Sequence, residues 1–188
     1  DATLENLETF SASLRDVGIQ ARSQARILSG IRSFYHYLIM EDFLESDPSE
    51  LLESPQIGLH LPEVLTIEEI DTLIGTIDLS SNEGQRNRTI LETLYSCGLR
   101  VSELCHLKIS DLYLDEGFIK VEGKGSKQRL VPISPRAIQE LRLYFIDRNL
   151  TTIKPGFEDF VFISKRGKNI SRIMVFHIIK ELADAIGL

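Results

Sequence analysis

Gly98 most constrains how this chain can fold, because it interrupts a run of helical periodicity. Ile90 and Leu91 share one face of a helix predicted over residues 83–97, and a glycine just past the last helical residue is a common helix stop. Arg100 therefore lies in a tight turn that leads into another short helix, which contains Glu103. The second half of the chain has to fold around this turn.

The other elements that the sequence predicts are mostly helices, with one small group of strands. Apolar spacing and capping residues predict further helices near residues 4–17, 23–38, 48–52, 66–77, 135–148 and 171–186. In the second of these, the expected buried stripe is Ile27, Ile31, Phe34 and Leu38. Strands are expected at residues 112–114, 118–121, 129–133 and 160–163.

These elements predict a mainly α (α+β) chain with two domains. Residues 1–54 are expected to form a helical bundle, and residues 55–64, which contain two prolines and a glycine, a linker. Residues 65–188 are expected to form a mostly helical domain with a small antiparallel sheet.

The charge of the chain leaves nucleic-acid binding open. A net charge of −7 argues against it on the simplest rule, because such domains are usually basic. Within residues 120–129, however, the basic residues face only Glu122; they are Lys120, Lys124, Lys127 and Arg129. Grouped basic residues can bind phosphates even where the net charge of the chain is negative.

Cysteine usage and hydropathy predict a cytoplasmic protein. Cys97 and Cys105 do not make a disulfide framework and are expected to be buried small hydrophobes in a reducing compartment. No metal site is expected, because a structural zinc site needs four ligands. No apolar run approaches 18 residues, so no membrane span is predicted.

Arg100, Lys124 and Glu103 have side chains suited to phosphodiester chemistry. Cleavage adds negative charge to the non-bridging oxygens, and the planar guanidinium of arginine can hold two of them. A lysine in a glycine-rich turn can protonate the leaving 5′ oxygen, and a nearby carboxylate can orient these groups. Each residue also has an ordinary alternative: a surface helix cap, a hairpin tip and a solvent-facing helix position.

Two stretches together resemble the tyrosine recombinase family, whose members cut and rejoin DNA through a covalent phosphotyrosine. They are residues 94–104 (LYSCGLRVSEL) and residues 123–132 (GKGSKQRLVP). The resemblance implies that Arg100 and Lys124 are catalytic and that Glu103 is the acidic residue supporting them. The compact spacing is most similar to the Xer-type bacterial subgroup, although phage and mobile-element integrases share the same motifs.

The resemblance extends to the first domain and implies DNA contacts there. Residues 23–35 (SQARILSGIRSFY) are similar to the family's helical core-binding domain, so residues 1–54 are expected to be a partial, SAM-like bundle. For each arginine of this helix, a solvated helix face is the alternative. Candidate DNA-binding residues are Arg22, Arg26 and Arg32 on this helix, and Lys127 and Arg129 as contacts to the DNA backbone.

The resemblance also implies the partners of the complete protein. It predicts a site-specific recombinase that acts on double-stranded DNA as a tetramer of protomers on two DNA sites. No metal, nucleotide or high-energy cofactor is implied, because the phosphotyrosine link conserves the bond energy. Chromosome-dimer resolution and mobile-element integration both fit.

The family's later motif, His-x-x-Arg followed by a nucleophilic tyrosine, does not occur in these 188 residues. None of the four histidines is followed by arginine three positions on. We therefore expect a piece shortened at both ends and inactive without its nucleophile, while its parent is active. The alternatives are a natural truncation that binds DNA or regulates without cutting it, and a helical interaction domain with an incidental basic turn.

Overall fold

The computed structural model describes residues 2–58, 64–123, 125 and 127–188. The chain divides into two compact units, Asp1–Glu63 and Val64–Leu188. The predicted catalytic residue Lys124 and part of the predicted linker lie outside the described residues.

The first unit contains helices α1 (Leu4–Asp16) and α2 (Ala21–Met40). The two helices were expected from the sequence, although α2 begins two residues before Ser23. Their apolar faces meet in a small core that consists of Leu7, Leu28 and Leu52, with Leu4, Ile31 and Tyr35 packed against it.

The buried face of α2 differs from the predicted stripe. Leu28 is fully buried, and buried Gln24 donates its side-chain N–H to the Ile19 carbonyl at 2.9 Å. Phe34, which was placed in the stripe, is 56% exposed. The physical reason is the orientation of α2: its buried or half-buried positions 24, 28, 31 and 35 recur at three- and four-residue spacing on a face that is rotated away from Phe34.

Residues 48–51 form a turn, so the short helix predicted over residues 48–52 is wrong. Asp47 Oδ1 accepts hydrogen bonds from the Ser49 backbone N–H at 2.7 Å and from the Ser49 hydroxyl at 2.6 Å. Aspartate favours such a local turn because its short side chain competes with helical hydrogen bonding. The turn brings Leu52 into the small core.

The second unit contains five further α-helices and a short 3-10 helix (Ile109–Asp111) among the described residues. Thr66 and Glu69 exchange hydrogen bonds at the start of α3, and the Ser171 hydroxyl caps α7, so both predicted helix starts are confirmed. The helices are α3 (Ile67–Gly75), α4 (Gly84–Cys97), α5 (Val101–His106), α6 (Pro135–Asn149) and α7 (Arg172–Ile186).

A small antiparallel sheet packs into the same unit. Its strands are β1 (Leu112–Tyr113), β2 (Phe118–Glu122) and β3 (Gln128–Pro132), in the order β1-β2-β3. In the register of β2 and β3, Val121 lies opposite Arg129. The core between sheet and helices includes Ile90, Leu104, Ile119, Leu141 and Phe162.

The strand predicted at residues 160–163 is wrong. Phe160 and Ile163 instead form isolated bridges, with Lys108 and Asn169 respectively. Val161 and Phe162 are almost completely buried. The apolar run therefore has the sequence pattern of a buried strand, although its residues do not pair continuously with another strand.

The helices and the small antiparallel sheet confirm the predicted α+β fold class. Within the described ranges, the helices are too short or too polar to cross a lipid bilayer.

Gly98→Ala is expected to lower the free energy of unfolding by about 1 kcal/mol. Gly98 ends α4 with φ +56°, a conformation that disfavours a side chain. A Cβ at this position would meet no atom within 4 Å, so the cost is conformational and not steric. Urea denaturation measures the difference.

Gly75→Ala is the matched control, because Gly75 is the last residue of α3 and a Cβ there also meets no atom within 4 Å. Its φ is not in the left-handed region, so alanine should leave the stability unchanged or slightly higher. An equal loss in both variants would contradict the conformational explanation.

Candidate active site

Arg100 begins α5 as its N-cap, two residues after the left-handed Gly98. Its backbone is extended, with φ −68° and ψ 145°, so the helical path of α4 is interrupted before α5 begins. Its side chain is 71% exposed. The turn therefore presents a guanidinium group to solvent from a backbone that is fixed on both sides by helices.

The buried carboxylate of Glu103 holds this turn. Its Oε2 accepts the backbone N–H of Arg100 at 2.8 Å, and its Oε1 accepts Nη1 of Arg100 at 2.9 Å. The Glu103 side chain is only 3% exposed. A buried carboxylate requires such donors, because an unpaired buried charge is strongly unfavourable.

Arg129 supplies the second set of donors to Glu103. Its Nη1 and Nη2 donate to the two carboxylate oxygens at 2.7 and 2.9 Å, which is the bidentate geometry of a strong pair. Arg129 lies on β3, 26 residues from Glu103. One carboxylate thus joins the turn that carries Arg100 to the β2–β3 hairpin.

The arginines set the protonation state of Glu103. Hydrogen bonds from Arg129 contribute most to holding the pKa of the Glu103 carboxyl at about 2, below its ordinary value of 4.5, and the backbone and side chain of Arg100 add to this. Burial acts in the opposite direction and is outweighed. Glu103 in turn raises the pKa of the Arg129 guanidinium.

The predicted basic turn follows β2. The Gly123 backbone N–H donates to the Lys127 carbonyl at 2.8 Å, and Lys127 is exposed. Atoms of Glu103 and Arg129 lie 3.5 Å from the position that a Cβ of Gly123 would take. The start of this turn is therefore adjacent to the Glu103 pair, whereas Lys124 itself is outside the described residues.

An open groove of about 530 Å³ lies between α5 and β2, and Arg100 lines it. Lys108 and Lys120 line the same groove, and Lys120 Nζ pairs with Asp111 Oδ1 at 2.8 Å. His106, at the end of α5, is also part of the wall. The groove thus carries several cationic or protonatable side chains beside an exposed arginine.

The arginines of α2 differ in their surroundings. Arg22 and Arg26 are exposed. Arg32 is half-buried, and its guanidinium donates to the Leu52 carbonyl and, at 2.9 Å, to the Ser54 hydroxyl. Arg32 therefore fastens the segment after the turn to α2.

Sequence reasoning missed the partnership of Arg129 with Glu103. The pattern placed Arg129 among the DNA-backbone contacts, and no local signal relates two residues on different elements so far apart in sequence. The groove was also missed, because Lys120 and the stretch that contains His106 and Lys108 meet only in the fold.

The phage integrase family model matches residues 63–188, which include the whole described site. The chain belongs to the phage integrase family. This membership confirms the resemblance to tyrosine recombinases drawn from the two sequence motifs.

Relatives of this integrase-family chain include bacterial recombinases. Tyrosine recombinase XerD of Staphylococcus haemolyticus (strain JCSC1435) is 37% identical over 177 residues, which are 94% of this chain and 60% of that protein. XerD of Staphylococcus aureus (strain Mu50) is 40% identical over 168 residues, 89% of this chain and 57% of that protein. The chain thus spans less than two thirds of these relatives' length.

Solved structures of the family share the fold. The XerH site-specific recombinase bound to palindromic difH substrate has a TM-score of 0.80 at 23% identity, covering 100% of this chain and 54% of that one. The Tn1549 transposon integrase in complex with circular intermediate DNA has a TM-score of 0.78 at 18% identity, with coverages of 100% and 65%. At these identities the likeness concerns the fold alone.

Glu103→Gln is expected to lower the free energy of unfolding at pH 7 by about 2 kcal/mol. Folding lowers the pKa of Glu103, so its ionised form stabilises the fold above its ordinary pKa of 4.5, and this contribution is lost as the pH falls towards about 2. The exposure of both arginines keeps the figure below that of a fully buried pair.

Urea unfolding between pH 2 and 7 checks this. Wild type should lose stability more steeply than Glu103→Gln below pH 4.5, whereas Arg129→Gln should shift the loss to higher pH, since it removes the main cause of the lowered pKa. Parallel curves for wild type and Glu103→Gln would contradict the assignment.

Proposed function

We propose that the protein containing these residues is a site-specific DNA recombinase that cleaves and rejoins strands through a 3′-phosphotyrosine intermediate. One observation carries this proposal: Arg100 lines an open groove with an exposed guanidinium, while the buried Glu103 fixes its backbone and one of its nitrogens. A cation that is already held in position can stabilise a phosphate whose negative charge increases during the reaction.

In the proposed reaction, a tyrosine oxygen attacks the scissile phosphorus and the 5′ oxygen leaves. Arg100 stabilises the non-bridging oxygens of the pentavalent transition state through hydrogen bonds from its guanidinium. Glu103 does not touch the phosphate; it positions Arg100. Arg129 holds Glu103 ionised and in place, so both groups act through the arginine.

Lys124 is proposed to protonate the leaving 5′ oxygen. Its support is the motif in the sequence and the place of the neighbouring Gly123, which lines the groove together with Glu103. Proton donation by a positioned side chain typically contributes a factor of roughly 10² to 10⁴ in rate. In this proposal Arg100 stabilises the non-bridging oxygens, and Lys124 protonates the leaving oxygen.

Double-stranded DNA is the proposed partner. The solved XerH and Tn1549 integrase structures hold DNA, and both share the fold. On this basis the helical unit before residue 54 contacts DNA through Arg22 and Arg26, and the catalytic unit through Lys127. Arg32 and Arg129 carry internal hydrogen bonds and are weaker candidates for that role. Assembly of protomers as a tetramer on two sites belongs to the same proposal.

The 188 residues by themselves are proposed to bind DNA without cleaving it. They contain no His-x-x-Arg, and the tyrosines precede the position at which the family's nucleophile is expected. A covalent mechanism does not turn over without its nucleophile. The same observation favours a second candidate function, a non-catalytic DNA-binding or regulatory module. Covalent adduct formed by the chain alone on a nicked duplex would refute the proposed inactivity.

DNA affinity of the 188-residue chain is expected to fall log-linearly with salt, by about 0.9 log unit per log unit of salt for each phosphate contacted. Changing Arg22 and Arg26 together to glutamine should therefore reduce the slope by about 1.8. Fluorescence anisotropy with a labelled duplex at 50 to 250 mM salt measures it.

Arg15→Gln is the control, because Arg15 is an exposed arginine in the last turn of α1 outside the proposed contacts. The salt dependence of DNA affinity in the Arg15→Gln variant should have the same slope as in wild type. Equal changes in both variants would mean that only net charge matters, and absence of binding at any salt would remove DNA as the partner.

Lys124→Ala and Lys127→Ala should separate chemistry from binding. In a polypeptide that joins these residues to the remaining C-terminal part of Staphylococcus aureus XerD, Lys124→Ala should slow cleavage on the order of a hundredfold and leave DNA affinity nearly unchanged. Lys127→Ala should weaken binding and lower the salt slope by about 0.9, with the cleavage rate of bound DNA retained.

The two variants remove the same charge from the same turn, so each controls for the other. Adduct formation on a nicked suicide duplex gives the cleavage rate. Unchanged cleavage by Lys124→Ala would remove that lysine from the mechanism.

A further inference from the structure

His106 is an exposed residue at the C-terminal end of α5 and lines the same groove as Arg100. Its Nδ1 lies 2.8 Å from the Ser102 carbonyl oxygen, one helical turn earlier. The Phe160 ring packs against the imidazole edge to face, with centroids 6.5 Å apart. The ring is therefore held in one orientation although it is open to solvent.

The hydrogen bond to Ser102 determines the chemistry of the other ring nitrogen. A carbonyl oxygen can only accept, so Nδ1 must carry the proton in this contact. In a neutral ring, Nε2 is then an acceptor, which a phosphate oxygen repels. In the protonated ring, Nε2 becomes a charged donor. Only the protonated form can therefore bind a phosphate from this position.

The groove has room for more than one phosphate. Arg100 precedes α5 and His106 ends it, and a helical rise of about 1.5 Å per residue separates them by roughly 9 Å along the axis. Successive phosphates of one DNA strand advance about 3.4 Å along the duplex axis. Roughly 9 Å corresponds to two or three such steps, so a strand whose scissile phosphate is bound by Arg100 can bring a phosphate two or three positions away to His106.

We infer that protonated His106, together with Lys108, binds a DNA backbone phosphate two or three positions from the scissile one on the same strand, so that DNA binding takes up a proton at this site. The inference rests on the proposed DNA-binding function. It adds a phosphate site formed by the end of α5 and the residues that follow, and it makes DNA affinity depend on pH.

Three of the carboxylates near His106 already have partners of their own. Glu103 of α5 is bound by Arg100 and Arg129, and Asp111 is bound by Lys120 of β2. Asp159, next to Phe160, accepts hydrogen bonds from Ser110. The titratable and charged groups that line the groove with His106 are Arg100, Glu103, Lys108, Asp111, Lys120 and Glu122.

The test is the pH dependence of DNA affinity in the 188-residue chain, measured by anisotropy with a labelled duplex at constant salt from pH 5.5 to 8.5. Wild type should bind more weakly as the pH rises, approaching tenfold per pH unit where one proton is fully coupled. His106→Gln cannot gain a charge, so its affinity should be nearly independent of pH. At pH 6 its salt slope should be smaller than that of wild type by about 0.9.

His106→Arg provides a second, independent variant. Its permanent charge should give pH-independent binding, with the salt slope that wild type has at pH 6, and it decides the question if His106→Gln fails to fold. His177→Gln on α7 and His36→Gln on α2 are the matched controls, since both residues are exposed histidines outside the groove. They should keep the wild-type pH dependence.

The outcomes separate this inference from the proposed function. Retention of the wild-type pH dependence in His106→Gln or His106→Arg overturns the His106 site, as does pH-independent binding by wild type, and DNA binding itself then still stands. Absence of DNA binding by wild type at every pH overturns the proposed function and the His106 site with it.

Discussion

The candidate site depends on one buried carboxylate. Glu103 is held by Arg100 on its own helix and by Arg129 on a strand 26 residues away. Burying a carboxylate is unfavourable unless its oxygens are satisfied, so the turn before α5 and the strand β3 have to keep a fixed relation. The requirement that Glu103 be paired therefore positions the groove wall.

The same carboxylate also completes the helix start. A serine or threonine at the N-cap usually accepts a backbone N–H of the first helical turn, but α5 begins at an arginine. Glu103 supplies the other half of a capping box, because its carboxylate accepts the Arg100 backbone N–H. Gly98 makes this possible by ending α4 in a left-handed conformation. The pattern Gly-Leu-Arg-Val-Ser-Glu thus encodes both the geometry of the turn and the exposure of the arginine.

Features that depend on residues close together in the sequence could be predicted, whereas features that depend on distant residues could not. The capping box at Thr66 and the helix stop at Gly98 depend on residues a few positions apart and were predicted. The Arg129–Glu103 pair and the exposure of Phe34 depend on which elements pack against each other. The spacing of apolar residues in the sequence does not contain that information. The sequence of residues 160–163 resembles a strand because its apolar residues are buried. In the structure, Phe160 and Ile163 form only single-residue bridges.

The net charge of −7 is a poor guide to the electrostatics of the groove, because several carboxylates are already neutralised by neighbours. Asp111 pairs with Lys120 at 2.8 Å, and Glu103 is shared by two arginines. Fields of charges farther away decay over about 8 Å at physiological ionic strength. A phosphate placed in the groove would therefore meet the local arrangement of Arg100, Lys108 and His106 before the sum over the chain, and the net charge alone does not argue against the proposed binding of DNA.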